Sequence, residues 1–279
     1  MTTATTQSND LQSKLKKVTT EALETLTQSL EAGKSEELVR YLDTMAKFPR
    51  YSMRNLFLIM AQMPEASQVM GYQSWKLFGR QVKQGEKAIR IWAPLKLKNN
   101  NGRSARDFEQ RQANTDSDQT LIFRPVAVFD YSQTEGEPMP ELSEVEGDPG
   151  ECTERLKQFA KELGVKVGYS EDLRGDGVSK CGEILLRVGL TPAAEFHTLV
   201  HELAHEIIHI KEDRTKLSKT QKETEAEAVA YVVSKSIGLD TGSAASDYIQ
   251  LYNGDTKTLT ESLTTVQQTA ARITYALLN

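Results

Sequence analysis

The sequence predicts an α+β protein of two domains, a mixed α/β N-terminal domain and a mostly helical C-terminal one. Three observations support this. Apolar residues recur at helical spacing over both ends of the chain, strand-like runs occupy the middle of its first half, and an acidic, Pro- and Gly-containing stretch divides it.

The elements follow in order. Leu11, Leu15, Val18, Ala22, Leu26 and Leu30 fall at steps of three and four, and Gly33 ends the pattern. A second helix is predicted over 36–47. A third, 53–62, is apolar almost all round and is expected to be buried. The period then shortens: 88–94 and 121–129 read as strands on either side of a polar excursion, 99–119. Beyond residue 151 the pattern gives a helix over 153–163, a strand over 182–188, and long helices over 192–211 and 220–237. Two further helices are expected to finish the chain.

Charge marks the boundary. The 279 residues carry a net charge of −5, yet from Lys47 to Arg111 thirteen basic residues stand against four acidic ones. From Asp130 to Glu154 there are nine acids and no base, interspersed with Pro138, Pro140, Pro149, Gly136, Gly147 and Gly150. Self-repelling charge with chain breakers reads as a linker. The predicted division is a basic domain over 1–136, a linker over 137–150 and a second domain over 151–279. No apolar run approaches the roughly 20 residues that cross a bilayer, so no membrane partner is expected. The first ten residues lack the basic and apolar segments of a signal peptide. With Cys152 and Cys181 the only cysteines, a reduced, cytoplasmic setting is expected.

All four histidines, His197, His201, His205 and His209, stand at steps of four. Helical neighbours at that spacing lie about 6 Å apart on one face, so two imidazoles can reach one tetrahedral cation. Each step overshoots a full circle by about 40°, so an adjacent pair can share a metal and all four cannot. The string contains two overlapping HExxH motifs, His201–His205 and His205–His209, in each of which a glutamate follows the first histidine. Leu203 and Ala204 keep the interior of the first frame small at one position, whereas Ile207 and Ile208 look like core. That selects His201 and His205 as ligands. The next helix offers Glu223 and Glu227 four apart: Glu223 as third ligand, and Glu227 placed to receive the N–H of a liganding histidine. Glu225 points elsewhere. Three ligands leave one zinc position to water, and Glu202 is placed to take its proton as a general base. Tyr231, one turn further along, reads either as an oxyanion stabiliser or as a packed tyrosine. A metzincin is disfavoured, because no third histidine follows a glycine turn.

In the basic domain, aromatic residues are interleaved with the charges. Single-stranded nucleic acid is bound by that combination, cations tracking phosphates and rings stacking on bases. Candidate contacts are Arg50, Arg54, Tyr72, Trp75, Lys76, Arg80, Lys83, Lys87, Arg90 and Trp92. The competing reading makes the aromatics core and the charges a solvated face. No helix-turn-helix pattern suggests duplex reading.

Three segments carry a resemblance. Asn55–Leu58, Trp75–Lys87 (with Gly79, Val82 and Gly85-Glu86-Lys87) and Val128–Gly136 (with Phe129, Gln133, Thr134 and Glu135) resemble, in order and spacing, the N-terminal domain of ArdC-type antirestriction proteins. His201–His205 together with Glu223–Ala230 is similar to the metallopeptidase domain of that family and of the related ImmA/IrrE zincins. The resemblance implies a single-stranded-DNA-binding N-terminal domain joined to a gluzincin-like zinc metallopeptidase domain, in a protein that protects incoming mobile-element DNA. It also implies His201, His205 and Glu223 at the zinc positions. Three positions depart from the pattern: Asp130 replaces the usual Asn, Ala204 stands where Gly is common, and Glu227 stands where the ImmA/IrrE branch has Asn. Two other readings stand beside it: a regulatory zinc protease that cuts a DNA-binding repressor, and a non-enzymatic single-strand binder with a structural zinc.

Overall fold

The computed structural model describes residues 2–96, 121–138, 148–210, 217–239 and 256–278. The polar excursion over 99–119, most of the acidic linker and the first of the two expected terminal helices lie outside the described residues. Within them the protein is a mixed α+β structure: long helices with three small sheets.

The chain begins with α1 (Thr2–Glu31), α2 (Glu36–Lys47) and α3 (Met53–Gln62). Gly33, at φ +70, makes the turn out of α1 that a residue with a β-carbon would make only with strain. Leu56, Phe57, Leu58 and Ile59 of α3 are all buried, as its apolar circumference predicted. Next come β1 (Val69–Gly71), α4 (Tyr72–Leu77), β2 (Arg80–Val82), β3 (Ile89–Lys96), β4 (Leu121–Asp130) and β5 (Thr134–Gly136). Strand β4 pairs antiparallel with both β1 and β3, and β2 pairs antiparallel with β5.

Polar side chains pin the elements of this half together. Asn55 donates to Trp92 O and accepts from Trp92 N, both at 2.8 Å. Two turns further along α3, Gln62 does the same to Arg90 at 2.9 Å. One helix thus completes the free backbone edge of β3 with two amide side chains, satisfying groups that burial would otherwise penalise. Asp130 accepts from Ser67 N, Gln68 N and Ser132 N, and Gln133 donates to Glu86 and to Lys87 O.

The second half comprises α5 (Cys152–Glu162), β6 (Lys166–Ser170), β7 (Gly177–Ser179), β8 (Glu183–Arg187), α6 (Pro192–Ala204), a π turn (His205–His209), α7 (Lys219–Ser236) and α8 (Thr256–Leu278). Strand β8 is central, parallel to β6 and antiparallel to β7. Thr191 caps α6 and Pro192 occupies its first turn. Ser218 and Gln221 form a reciprocal capping box on α7. The predicted helix over 192–211 therefore divides, its α-helical part ending at Ala204 and a π turn following. Strands β1, β2, β5, β6 and β7 and helix α4 were not anticipated; β1, β2, β5 and β7, at three residues each, are too short to show a period, and β6 reads Lys-Val-Gly-Tyr-Ser without an apolar run.

Helix α7 packs between α6 and α8, and α2 lies against it from the first half. Across that contact Tyr231 Oη donates to Asp43 Oδ1 at 2.7 Å. Buried apolar residues of both halves form one continuous cluster. Cys152 and Cys181 are free thiols. Among the described residues no helix is long and apolar enough to cross a membrane.

Candidate metal centre

Helices α6 and α7 cross with their polar faces together, and the histidines of one meet the carboxylates of the other. His201 Nε2 lies 3.2 Å from His205 Nε2 and 3.4 Å from Glu223 Oε2, and His205 Nε2 lies 3.6 Å from the same oxygen. Bonds of about 2.0–2.2 Å at tetrahedral angles place zinc ligands about 3.3–3.5 Å apart. The triangle therefore has the edges of a tetrahedral site, and it is the set among the described residues whose donor atoms converge to hold an ion.

Tautomers sharpen the argument. Glu227 accepts from His201 Nδ1 at 3.1 Å and from His197 Nε2 at 3.1 Å. With its proton held on Nδ1, a neutral His201 turns a lone pair on Nε2 into the triangle. Lone pairs and a carboxylate oxygen converging at such distances repel one another unless a cation lies between them. The donor set, two imidazoles and a carboxylate, suits zinc.

The titratable groups are set by the same contacts. Burial alone would lower His201, but Glu227, Glu202 and Glu223 outweigh it and raise its pKa. Burial and the adjacent His201 push His205 down to about 4. Burial would raise Glu227, yet its bonds to His197 and His201 hold it well below the usual carboxylate range. Burial pushes the Glu202 carboxyl up, against the pull of His201 and a hydrogen bond from Ser179 N–H.

Glu202 is almost fully buried, against the edge strand β7. Glu206, the glutamate of the second HExxH frame, is tied down instead: it accepts from Ser179 Oγ at 2.5 Å and from Gly182 N at 2.8 Å. It bolts the β7–β8 turn to the helix that carries the histidines. Glu225, set aside in the sequence reading, bonds His209 Nε2 at 3.1 Å in the core. The sequence signal for Glu206 and for the His209 that Glu225 meets lay in the second frame. The hydroxyl of Tyr231 is engaged by Asp43, and the ring is buried between α7 and α2.

The basic half requires corrections. Trp75 is 0% exposed, and its Nε1 donates to Phe129 O at 2.9 Å. It is core, and no base can stack on it. Arg80 is also buried: it bonds Thr134 Oγ1 and O, Gly136 O and Glu137 O, with its guanidinium 4.1 Å from the Tyr131 ring centre. Its charge clamps β2 to β5 and does not meet phosphate. Trp92 packs partly buried against the core. The other candidates, Arg50, Arg54, Tyr72, Lys76, Lys83, Lys87 and Arg90, are exposed. Lys76 Nζ lies 5.0 Å from the Tyr72 ring centre, whereas Arg50 is drawn to Tyr275 on α8. Sequence reasoning missed Leu77 and took Phe78 only as one of the interleaved aromatics. These residues at the end of α4 are 77% and 52% exposed, although an isolated apolar pair carries no sequence signal of exposure.

Residues 9–129 match the family described as the N-terminal domain of anti-restriction factor ArdC. An uncharacterized Bacillus anthracis protein, pXO2-81, is 28% identical over 276 residues, covering 85% of this chain. The chain spans 47% of that relative's length. The metal-free crystal structure of antirestriction ArdC from the R388 plasmid matches with a TM-score of 0.51 at 18% identity, over 94% of this chain and 98% of that one. Its Mn(II)-bound crystal structure matches with a TM-score of 0.45 at 19% identity, over 82% of this chain and 88% of that one. Residues 9–129 thus carry the pattern of the ArdC N-terminal domain, and the chain shares its fold along nearly its whole length with the R388 protein.

Proposed function

We propose that the protein binds single-stranded DNA through residues 1–136 and holds zinc in residues 151–279 as a gluzincin-type metallopeptidase site, the two joined through 137–150. In this reading it is an antirestriction protein that protects incoming mobile-element DNA, its peptidase substrate a DNA-associated protein. The observation that carries the metal assignment is the triangle of His201 Nε2, His205 Nε2 and Glu223 Oε2, with edges of 3.2, 3.4 and 3.6 Å.

His201, His205 and Glu223 hold the ion, and Glu227 fixes the His201 ring. Zinc in such a site supplies Lewis acidity and makes water acidic near neutral pH. Glu202 accepts the proton of the water that attacks the peptide carbonyl. It passes that proton to the amine that departs as the C–N bond breaks. Burial raises the Glu202 carboxyl, which makes it a stronger acceptor for that proton than an exposed carboxylate. On the DNA side, Tyr72, Phe78 and Leu77 offer exposed apolar surface beside Lys76, and Lys83, Lys87 and Arg90 add exposed cations.

The test combines zinc stoichiometry, hydrolysis of a protein substrate and binding to labelled oligonucleotides at two salt concentrations. One zinc per chain that Glu202→Gln retains, with hydrolysis lost about 10²–10⁴-fold, supports the enzyme. Zinc binding without any hydrolysis points to a structural ion. Single-strand binding that weakens as salt rises supports the DNA face. Binding to neither strand form leaves a regulatory protease whose basic face is only solvated.

A further inference from the structure

The centre contains more histidine and carboxylate than three ligands and one base require. His209 and Glu225 are the surplus, and both are deeply buried, with side chains 5% and 4% exposed. Neither belongs to the triangle. His209 Nδ1 lies 2.9 Å from His205 Nδ1, and His209 Nε2 lies 3.1 Å from Glu225 Oε2. The two rings sit in the π turn with centres 4.9 Å apart, tilted by 54°.

These contacts fix the protons one after another. The Glu225 carboxylate only accepts, so His209 Nε2 carries hydrogen. A neutral His209 then has its lone pair on Nδ1. That lone pair accepts from His205 Nδ1–H, and a neutral His205 is left with a bare Nε2, the atom that faces His201 and Glu223. We propose that His209 and Glu225 form a positioning relay that sets the tautomer and ring angle of His205 for metal, through a second histidine. This rests on the zinc assignment above. It gives each liganding histidine its own carboxylate from α7, Glu227 directly for His201 and Glu225 through His209 for His205. Glu223, Glu225 and Glu227 then divide the work as ligand, relay end and direct lock. The second HExxH frame becomes the supporting frame of the first.

The whole chain supplies the test, with three variants, His209→Leu, Glu225→Ala and Glu225→Gln. Two-bond ¹H–¹⁵N spectra of the imidazoles, recorded on metal-free protein, read the His205 tautomer directly. Zinc affinity is read by competition with a chromogenic chelator, and thermal unfolding reports folding. In wild type His205 should carry its proton on Nδ1. In His209→Leu that preference should be lost and zinc affinity should fall about 10–100-fold. Glu225→Ala should do the same, while Glu225→Gln, whose side-chain carbonyl accepts the same N–H, should recover most of the affinity. If His209→Leu fails to fold, the two Glu225 variants decide. An unchanged His205 signal with wild-type affinity in the folded variants overturns the relay. Wild-type protein that binds no zinc overturns the metal assignment instead, and the His205 spectra still decide the relay.

Discussion

Gly177 lies against Glu202 so closely that a β-carbon there would stand 2.9 Å from Glu202 Cγ, 3.1 Å from Oε1 and 2.6 Å from Thr198 Cγ2. The absence of a side chain on β7 lets the edge strand come down onto the helix, and Ser179 N–H from the same strand then reaches the Glu202 carboxylate.

Gly177→Ala should therefore displace the Glu202 carboxylate or the strand while leaving His201, His205 and Glu223 in place. A misplacement of about 1 Å costs catalysis on the order of 10²-fold. The expected result is one zinc per chain with hydrolysis reduced by about that factor, measured as kcat on the same protein substrate. Wild-type kcat in this variant would show that the Glu202 carboxylate is not positioned by the strand.

Trp75 and Phe78 should separate structure from binding. Trp75→Ala removes a fully buried ring and is expected to cost about 3–5 kcal/mol of stability. Phe78→Ala removes a half-exposed ring, so the melting temperature should stay near wild type. If it stacks on a base, single-strand affinity should weaken by about 1–3 kcal/mol. Fluorescence anisotropy with a single-stranded oligonucleotide reads the second effect, and undiminished affinity would remove Phe78 from the DNA face.

Asp130 should give the protein an acid-sensitive joint. Burial raises its carboxyl, but the hydrogen bonds from Ser132, Gln68 and Ser67 outweigh it and hold the pKa below the usual value. A lowered folded-state pKa means stability present above the unfolded value, about 4, and lost as pH falls through the folded one. Asp130→Asn cannot accept as many N–H groups and should be less stable at neutral pH by about 1–3 kcal/mol. The gap should close below about pH 4, as the wild-type carboxyl is protonated. Denaturant titrations at neutral and acid pH check this, and a gap of constant size would refute it.

The Tyr231–Asp43 bond joins α7, which carries Glu223, to α2 of the first half. Tyr231→Phe should cost about 1 kcal/mol of stability with zinc affinity unchanged. The opposite pattern, full stability with hydrolysis lost, would return Tyr231 to the reacting centre as an oxyanion donor.

By itself the sequence determined what depends on local spacing. Helices α2, α3, α6 and α7 follow from apolar spacing, because the faces of a helix are properties of neighbours in the chain. The pairing of His201 with His205, and of Glu223 with Glu227, was legible for the same reason: four-residue steps stack side chains on one face. Only the tertiary structure decided what burial and cross-chain contact settle. Trp75 and Phe78 are both aromatic residues among cations, yet one is core and the other surface, since burial depends on β4 and Tyr131 lying more than fifty residues away. Arg80 reads as a phosphate contact until β5 returns to surround it with carbonyls. Spacing sets Glu225 on a different face from Glu227, and the fold gives it His209 as partner while Glu227 meets His197 and His201. Spacing along a helix fixes which side chains share a face, whereas the packing of a second helix fixes what each of them meets.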